Sequence, residues 1–130
     1  MAASRLFLIG LVCFAATSCS YGADPDKRTD FVLFFPGQST ALDPAANALI
    51  AQAAAAARNA PDLDVTVAGY ADYSLTPEAN QIQSRIRAQI VADALVRLGV
   101  ARSRIELKPR RAIGSDPGVE SRRLEIRIGS

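Results

Sequence analysis

The chain has 130 residues, 49% apolar and 22% charged, with a formal net charge of +2. That is room for one domain with its own hydrophobic core, and too little net charge for strong nonspecific attraction to nucleic acid. Histidine and tryptophan are absent, and both cysteines, Cys13 and Cys19, precede residue 20. A His/Cys metal site and a Cys/His nucleophile pair are therefore excluded, and neither metal nor cofactor is expected.

Met1 to Ser20 carry a single charge, Arg5, followed by uninterrupted apolar residues from Leu6 to Ala16 and then small and polar ones. This is the layout of an export signal, and the apolar run is shorter than the roughly 20 residues that cross a bilayer. Two modes of cleavage fit. Ala16-Thr17-Ser18-Cys19 resembles a lipoprotein signal, with residues 1–19 removed and Cys19 lipid-modified; Cys13, preceded by Gly-Leu-Val, fits that pattern poorly. Ordinary cleavage near residues 22–23 would instead leave a free mature chain without cysteine. A lone thiol in an oxidising compartment otherwise has no purpose, which favours lipidation. Residues 20–30 are polar, with Gly22 and Pro25, and read as a tether.

The folded domain is expected over residues 31–130. Phe31 to Phe35 form a short apolar run closed by Pro36-Gly37, as in a buried strand ended by a turn. Asp43 offers an N-cap with Pro44 in the first helical position, and an alanine-rich helix runs to about Asn59. Its alanines from Ala53 to Ala57 read as close-packed helix surface. Leu63 to Gly69 alternate as a strand with one buried face, and a second helix runs from about Pro77 to Leu98 with Gly99 as its stop. Two alternating strands follow, Arg104–Lys108 and Arg122–Ile128. The order β-α-β-α-β-β predicts an α+β fold, an α/β sandwich with two helices on one face of one sheet.

The second helix holds the most informative irregularity. At helical spacing Asn80, Ser84, Arg87, Val91, Ala94, Leu95 and Leu98 share one face. The C-terminal half is a core seam; the N-terminal half puts an amide, a hydroxyl and a guanidinium where apolar residues belong. A charge facing a core is costly unless paired, so Arg87 needs a carboxylate from the fold or from a ligand. Asp72, just beyond the second strand, is the candidate. Two readings stay open. One is a buried salt bridge closing the strand-to-helix loop. The other is a site for a zwitterion, with Asp72 receiving an ammonium, Arg87 a carboxylate, and Asn80 and Ser84 orienting the ligand. Loops past strand ends are where open α/β sheets bind ligands.

Gly69-Tyr70-Ala71-Asp72, Asn80, Ser84, Arg87-Ala88, Val91, Leu95 and Gly99 resemble, in residue type and spacing, the OmpA-like C-terminal peptidoglycan-binding domain family. That family includes OmpA itself, peptidoglycan-associated lipoprotein and flagellar stator proteins. Phe34 with Ser39 and Leu42 resembles its opening strand and turn, and Arg122 to Ile126 its closing strand. The resemblance implies a mixed sheet of strand order 1-4-2-3. It also implies a noncatalytic function, binding the diaminopimelate of the peptidoglycan stem peptide. Asp72 and Arg87 take the family's two charged positions, Asn80 the helix-start position, and Arg122 faces the site from the last strand. Through such a domain the wall is linked to the outer membrane or to an envelope assembly. The cell envelope, at the periplasmic face of the outer membrane or in the periplasm, is the implied location. Tyr70-Ala71 stand where the family has His-Thr, Leu75 where it has Gly, and Ser121 where it has Asn; the loop from Ala112 to Ser121 is short. A lost hydroxyl and amide, at about 0.5–1.5 kcal/mol each, imply weaker binding or an altered stem peptide.

Arg102, Arg104, Lys108, Arg110 and Arg111 read as a solvated face, and Tyr70 and Tyr73 as loop packing beside the site. Two other functions are weighed. A nucleic-acid-binding α/β protein would use the basic C-terminal third, but the export signal and the lack of paired exposed aromatics on central strands oppose it. A wall-lytic enzyme would use Asp72 with Glu78, which stands near a helix start without a means of becoming a general acid.

Overall fold

A computed structural model describes residues 28–37, 39–70, 76–110 and 122–129. The expected signal peptide with Cys19, most of the tether, Ala71, Asp72, Tyr73, Leu75, Arg111 and Ser121 lie outside these residues. The elements are β1 (Thr29–Phe34), α1 (Pro44–Asn59), β2 (Val65–Tyr70), α2 (Pro77–Arg97), a 3-10 turn (Arg102–Arg104), β3 (Ile105–Arg110) and β4 (Arg123–Ile128). They follow the expected order, and the described strands form one four-stranded sheet, β1-β4-β2-β3. β4 is antiparallel to both of its neighbours, while β2 and β3 are parallel. β1, β2 and β3 therefore end at the same edge of the sheet, where β4 begins.

The helices start where their caps dictate. Asp43 accepts the Ala46 N–H at 2.7 Å ahead of Pro44, and Thr76 accepts the Ala79 N–H at 3.3 Å ahead of Pro77. α2 ends at Gly99, whose φ of +96° only glycine adopts without strain. There the N–H of Gly99 bonds the Val96 carbonyl and that of Val100 bonds the Leu95 carbonyl, the paired bonds of a Schellman motif. This turn corrects one expectation. Leu98 is 38% exposed, because the reversal at Gly99 gives its place in the core to Val100.

The helix-facing side of the sheet carries Leu33, Val65, Val67, Ile105, Leu124, Ile126 and Ile128, all buried. They meet Ile50, Ala53, Ala54 and Ala57 of α1 and Ala88, Val91, Ala92 and Leu95 of α2 in one cluster. The alanines let the helices approach closely, as expected of a packed surface. The other side of the sheet is laced with charge: Asp30 pairs with Arg127, Glu125 with Arg123, and Glu106 with Lys108. β1 begins at Thr29 rather than Phe31, because Thr29 and Asp30 continue the register with Ile128 and Arg127. Pro109 is tolerated within β3, an edge strand.

The solvated basic face needs correction at Arg104, which is half-buried, while Arg102 is exposed as expected. Arg104 donates to the carbonyls of Ala57, Ala60 and Leu63, capping the C-terminal end of α1, and Arg102 donates to the Ile105 carbonyl at 2.9 Å. A guanidinium on carbonyls at and just beyond a helix C-terminus is attracted both by hydrogen bonding and by the helix dipole. Lys108 is paired with Glu106, and Arg110 is exposed. Among the described residues no helix is long and apolar enough to cross a membrane.

Candidate binding site at the strand ends

Strand direction brings together the end of β1, the end of β2, the start of β4 and, through short connections, the N-terminal ends of both helices. Four of the five expected ligand-binding residues fall within or beside this end: Asn80, Ser84, Arg87 and Arg122. The fifth, Asp72, follows Tyr70 by two positions and lies outside the described residues.

Arg87 is 1% exposed, as its place on the core-facing side of α2 requires. Its Nη2 donates to the Gly37 carbonyl at 2.8 Å and to the Ser39 carbonyl at 3.1 Å, and its Nε to Ser39 at 3.2 Å. Its guanidinium carbon lies 5.0 Å from the centroid of the Phe35 ring. The turn after β1 supplies these acceptors because Pro36 and Gly37 end the strand, which frees carbonyls from the ladder. A cation over a ring face, with its N–H groups on fixed carbonyls, is held in position without losing its charge.

Ser84 is fully buried, and its Oγ donates to the carbonyl of Gly69 in β2. A Cβ built on Gly69 would stand 2.5 Å from the Ser84 carbonyl oxygen, so only glycine allows β2 and α2 to come this close. The Ser84 hydroxyl therefore points to the strand.

Asn80 is half-buried in the first turn of α2, and its N–H bonds the Thr76 carbonyl at 2.9 Å. Arg122 is half-buried immediately before β4. Its carbonyl accepts the Phe35 N–H at 3.0 Å, which ties the start of β4 to the end of β1. Its Nε is buried with no hydrogen-bond partner among the described residues.

Tyr70 is the last residue of β2, 7% exposed, and not part of a loop. The Arg123 guanidinium covers its ring at 4.2 Å, and its hydroxyl lies 3.4 Å from Glu125 Oε2. Burial alone would lower the Arg123 pKa, but hydrogen bonding to Tyr70 and Glu125 raises it above the ordinary arginine value. Tyr70 thus packs on the far side of the sheet from α2. Glu78 is exposed in the first turn of α2.

Phe35, Gly37 and Gly69 were not singled out by residue chemistry. Phe35 has a legible signal, since it shares the parity of the inward-facing Leu33, and so does Gly69, a glycine inside a strand. The backbone carbonyls that receive Arg87 have none. Among the described residues no cluster of three or more His, Cys, Asp or Glu is placed to hold a metal.

Residues 34–124 match the family model described as the OmpA family. The chain is similar to the OmpA-like domain of FopA1 from Francisella tularensis, with a TM-score of 0.69, 25% identity, and coverage of 77% of this chain and 71% of that chain. It is also similar to the peptidoglycan-associated lipoprotein from Burkholderia pseudomallei, with a TM-score of 0.68 and 26% identity over 82% of this chain and 97% of that one. The cell wall anchor of the T6SS from Pseudomonas aeruginosa shares the fold, with a TM-score of 0.63 and 22% identity over 79% of this chain and 82% of that one. A comparison with curated proteins finds no match.

Proposed function

Because the chain belongs to the OmpA family, we propose that its domain is a noncatalytic module that holds peptidoglycan by the diaminopimelate of the stem peptide. The observation that carries this reading is the buried Arg87 guanidinium, held by Phe35, Gly37 and Ser39 at the end of the sheet where Asp72 follows β2. In the proposal Arg87 receives the ligand carboxylate and Asp72 its ammonium. The carboxylate of a zwitterion then offsets the cost of burying the Arg87 cation. Asn80 and Arg122 border the ligand. The likeness to a solved peptidoglycan-associated lipoprotein supports peptidoglycan as the partner.

The proposal extends to location. With Cys19 lipid-modified, the module would tie the wall to the periplasmic face of the outer membrane; with ordinary cleavage it would act in the periplasm. A wall-lytic activity is disfavoured, since exposed Glu78 lacks the apolar surroundings that a general acid draws on. Nucleic-acid binding is disfavoured because Tyr70, the aromatic on central strand β2, is buried under Arg123, and the outer sheet face is occupied by ion pairs.

The test is retention on purified peptidoglycan sacculi. The full-length protein should sediment with sacculi and be released by free diaminopimelate. No retention, or retention indifferent to the competitor and lost at moderate salt, would reject the reading.

A further inference from the structure

We infer that Ser84 is a positioning residue and not a ligand contact. Its hydroxyl on the Gly69 carbonyl sets where the segment carrying Asp72 leaves β2 relative to Arg87. The inference rests on the reading above, in which Asp72 and Arg87 hold the ligand.

Three observations lead to it. Ser84 is 0% exposed, so its Oγ is shielded from solvent, and that Oγ donates to Gly69. A serine inside a helix ordinarily turns its hydroxyl back to the carbonyl four residues earlier, or out to water. Here it crosses to the strand. Second, packing alone does not call for a hydroxyl. Ala88 and Ala92 continue the same buried side of α2, and both are 0% exposed. A hydroxyl placed there has to be satisfied, and its acceptor is the carbonyl of Gly69 in β2. Third, the approach is as close as the backbone permits, since a Cβ on Gly69 would stand 2.5 Å from the Ser84 carbonyl oxygen. Gly69 is therefore matched to Ser84.

The position of this contact gives it a consequence. Gly69 precedes Asp72 by three residues, and Ser84 precedes Arg87 by the same number, about one helical turn. The Ser84–Gly69 bond is thus a crosspiece joining β2 and α2 three residues ahead of Asp72 and Arg87 in the sequence. Arg87 is itself fixed on its other side by Phe35, Gly37 and Ser39. With one charge anchored to the β1 turn, the distance between the two charges depends on how β2 is held against α2. A zwitterion of fixed length is sensitive to that distance, because a misplacement on the scale of an ångström loses one of its two charge-assisted contacts.

The experiment compares full-length wild type, Ser84→Ala, Ser84→Cys and Gly69→Ala, with Ser84→Ala also made in an Asp72→Asn background. Binding of free diaminopimelate is measured by calorimetry, and backbone hydrogen exchange is followed by mass spectrometry. Ser84→Ala should weaken binding by about tenfold, the effect of one lost hydrogen bond of ordinary strength. Ser84→Cys, with a weaker donor of similar size, should lose less. Gly69→Ala, whose Cβ would meet the Ser84 carbonyl, should reproduce the loss by forcing strand and helix apart. Ser84→Ala should add nothing in the Asp72→Asn background, because it acts through Asp72. Independent effects of Ser84→Ala and Asp72→Asn, or wild-type binding by Gly69→Ala, would overturn the inference. If wild type itself does not bind diaminopimelate, the functional reading fails separately. The positioning role is then judged by hydrogen exchange. Ser84→Ala should speed exchange in residues 70–76 and leave the β1–β4 pairing unchanged, while equal exchange in both proteins would overturn it.

Discussion

The Arg87 guanidinium lies 5.0 Å from the centroid of the Phe35 ring, with its Nη2 on the carbonyls of Gly37 and Ser39. One residue of α2 therefore holds the turn that follows β1, and does so by the planar geometry of its head group. Lysine has the charge without the fork. Arg87→Lys should lose the shared bonds to Gly37 and Ser39 and destabilise the protein by about 1.5–3 kcal/mol, as for hydrogen bonds to a charged group. Urea denaturation would measure it, and an unchanged midpoint would mean that a point charge suffices.

Arg104 makes a comparable clamp at the opposite end of the molecule, on the carbonyls of Ala57, Ala60 and Leu63. Arg104→Ala leaves these acceptors at the end of α1 to water and removes a cation from a helix C-terminus. The expected cost is about 1.5–3 kcal/mol. Arg110→Ala, at an exposed position, should stay within about 0.5 kcal/mol of wild type. Similar melting of both variants would show that the clamp contributes nothing beyond a surface charge.

Arg104 also shows where sequence reasoning stops. Its acceptors lie 41 to 47 residues away in the chain and are all backbone atoms, so no side-chain pattern marks them. The two helices were legible because Asp43, Pro44, Pro77 and Gly99 act locally, and the burial of Arg87 followed from helical spacing. The strand order, by contrast, came from the family resemblance, since alternation shows which face of a strand is buried and not which strand lies beside it. Leu98 is also assigned to the core by the helical spacing that places Arg87 on the inner face. It lies at the helix cap, where spacing no longer holds, and the turn at Gly99 buries Val100 instead. Ser84 was correctly placed on the inner face, but its partner is a glycine carbonyl, which sequence chemistry does not display.

Asp30 carries a dependence on pH. Hydrogen bonding to Arg28 has the largest effect on its pKa; burial opposes it, Arg127 adds to it, and the result lies below the ordinary carboxylate value. A depressed folded-state pKa gives stability that is present above the unfolded value of about 3.9 and lost as pH falls through the folded one. The Asp30 side chain is 42% exposed, so the effect is screened. Asp30→Asn should cost less than about 1 kcal/mol at neutral pH. The gap should close below the carboxylate range and shrink at high salt. A gap that survives acidification would trace the cost to something other than ionisation.

The cysteine prediction concerns location. If Cys19 is lipid-modified, metabolic labelling with a fatty-acid analogue should tag the protein, and Cys19→Ala should abolish both label and membrane fractionation. A wild type recovered unlabelled in the soluble fraction would leave ordinary cleavage near residues 22–23 as the surviving mode.

The most discriminating measurement is thermal melting of wild type, Asp72→Ala and Arg87→Ala with and without diaminopimelate, run beside the sacculus pull-down. If the two residues hold a ligand, each alanine variant should lose sacculus binding, with about 2–5 kcal/mol of interaction removed as for one partner of a desolvated charge pair. Asp72→Ala should remain folded, with only a modest fall in melting temperature. Arg87→Ala should fall further, because it also releases the Gly37 and Ser39 carbonyls and uncovers Phe35. Diaminopimelate should raise the melting temperature of wild type by linkage, since it binds the folded state, and leave both variants unmoved. If instead Asp72 and Arg87 form only a structural salt bridge, both substitutions should cost about 3–5 kcal/mol by leaving a buried charge uncompensated. The ligand would then shift nothing. A wild type indifferent to diaminopimelate, with binding to sacculi undiminished in whatever folded protein the variants retain, would reject the site.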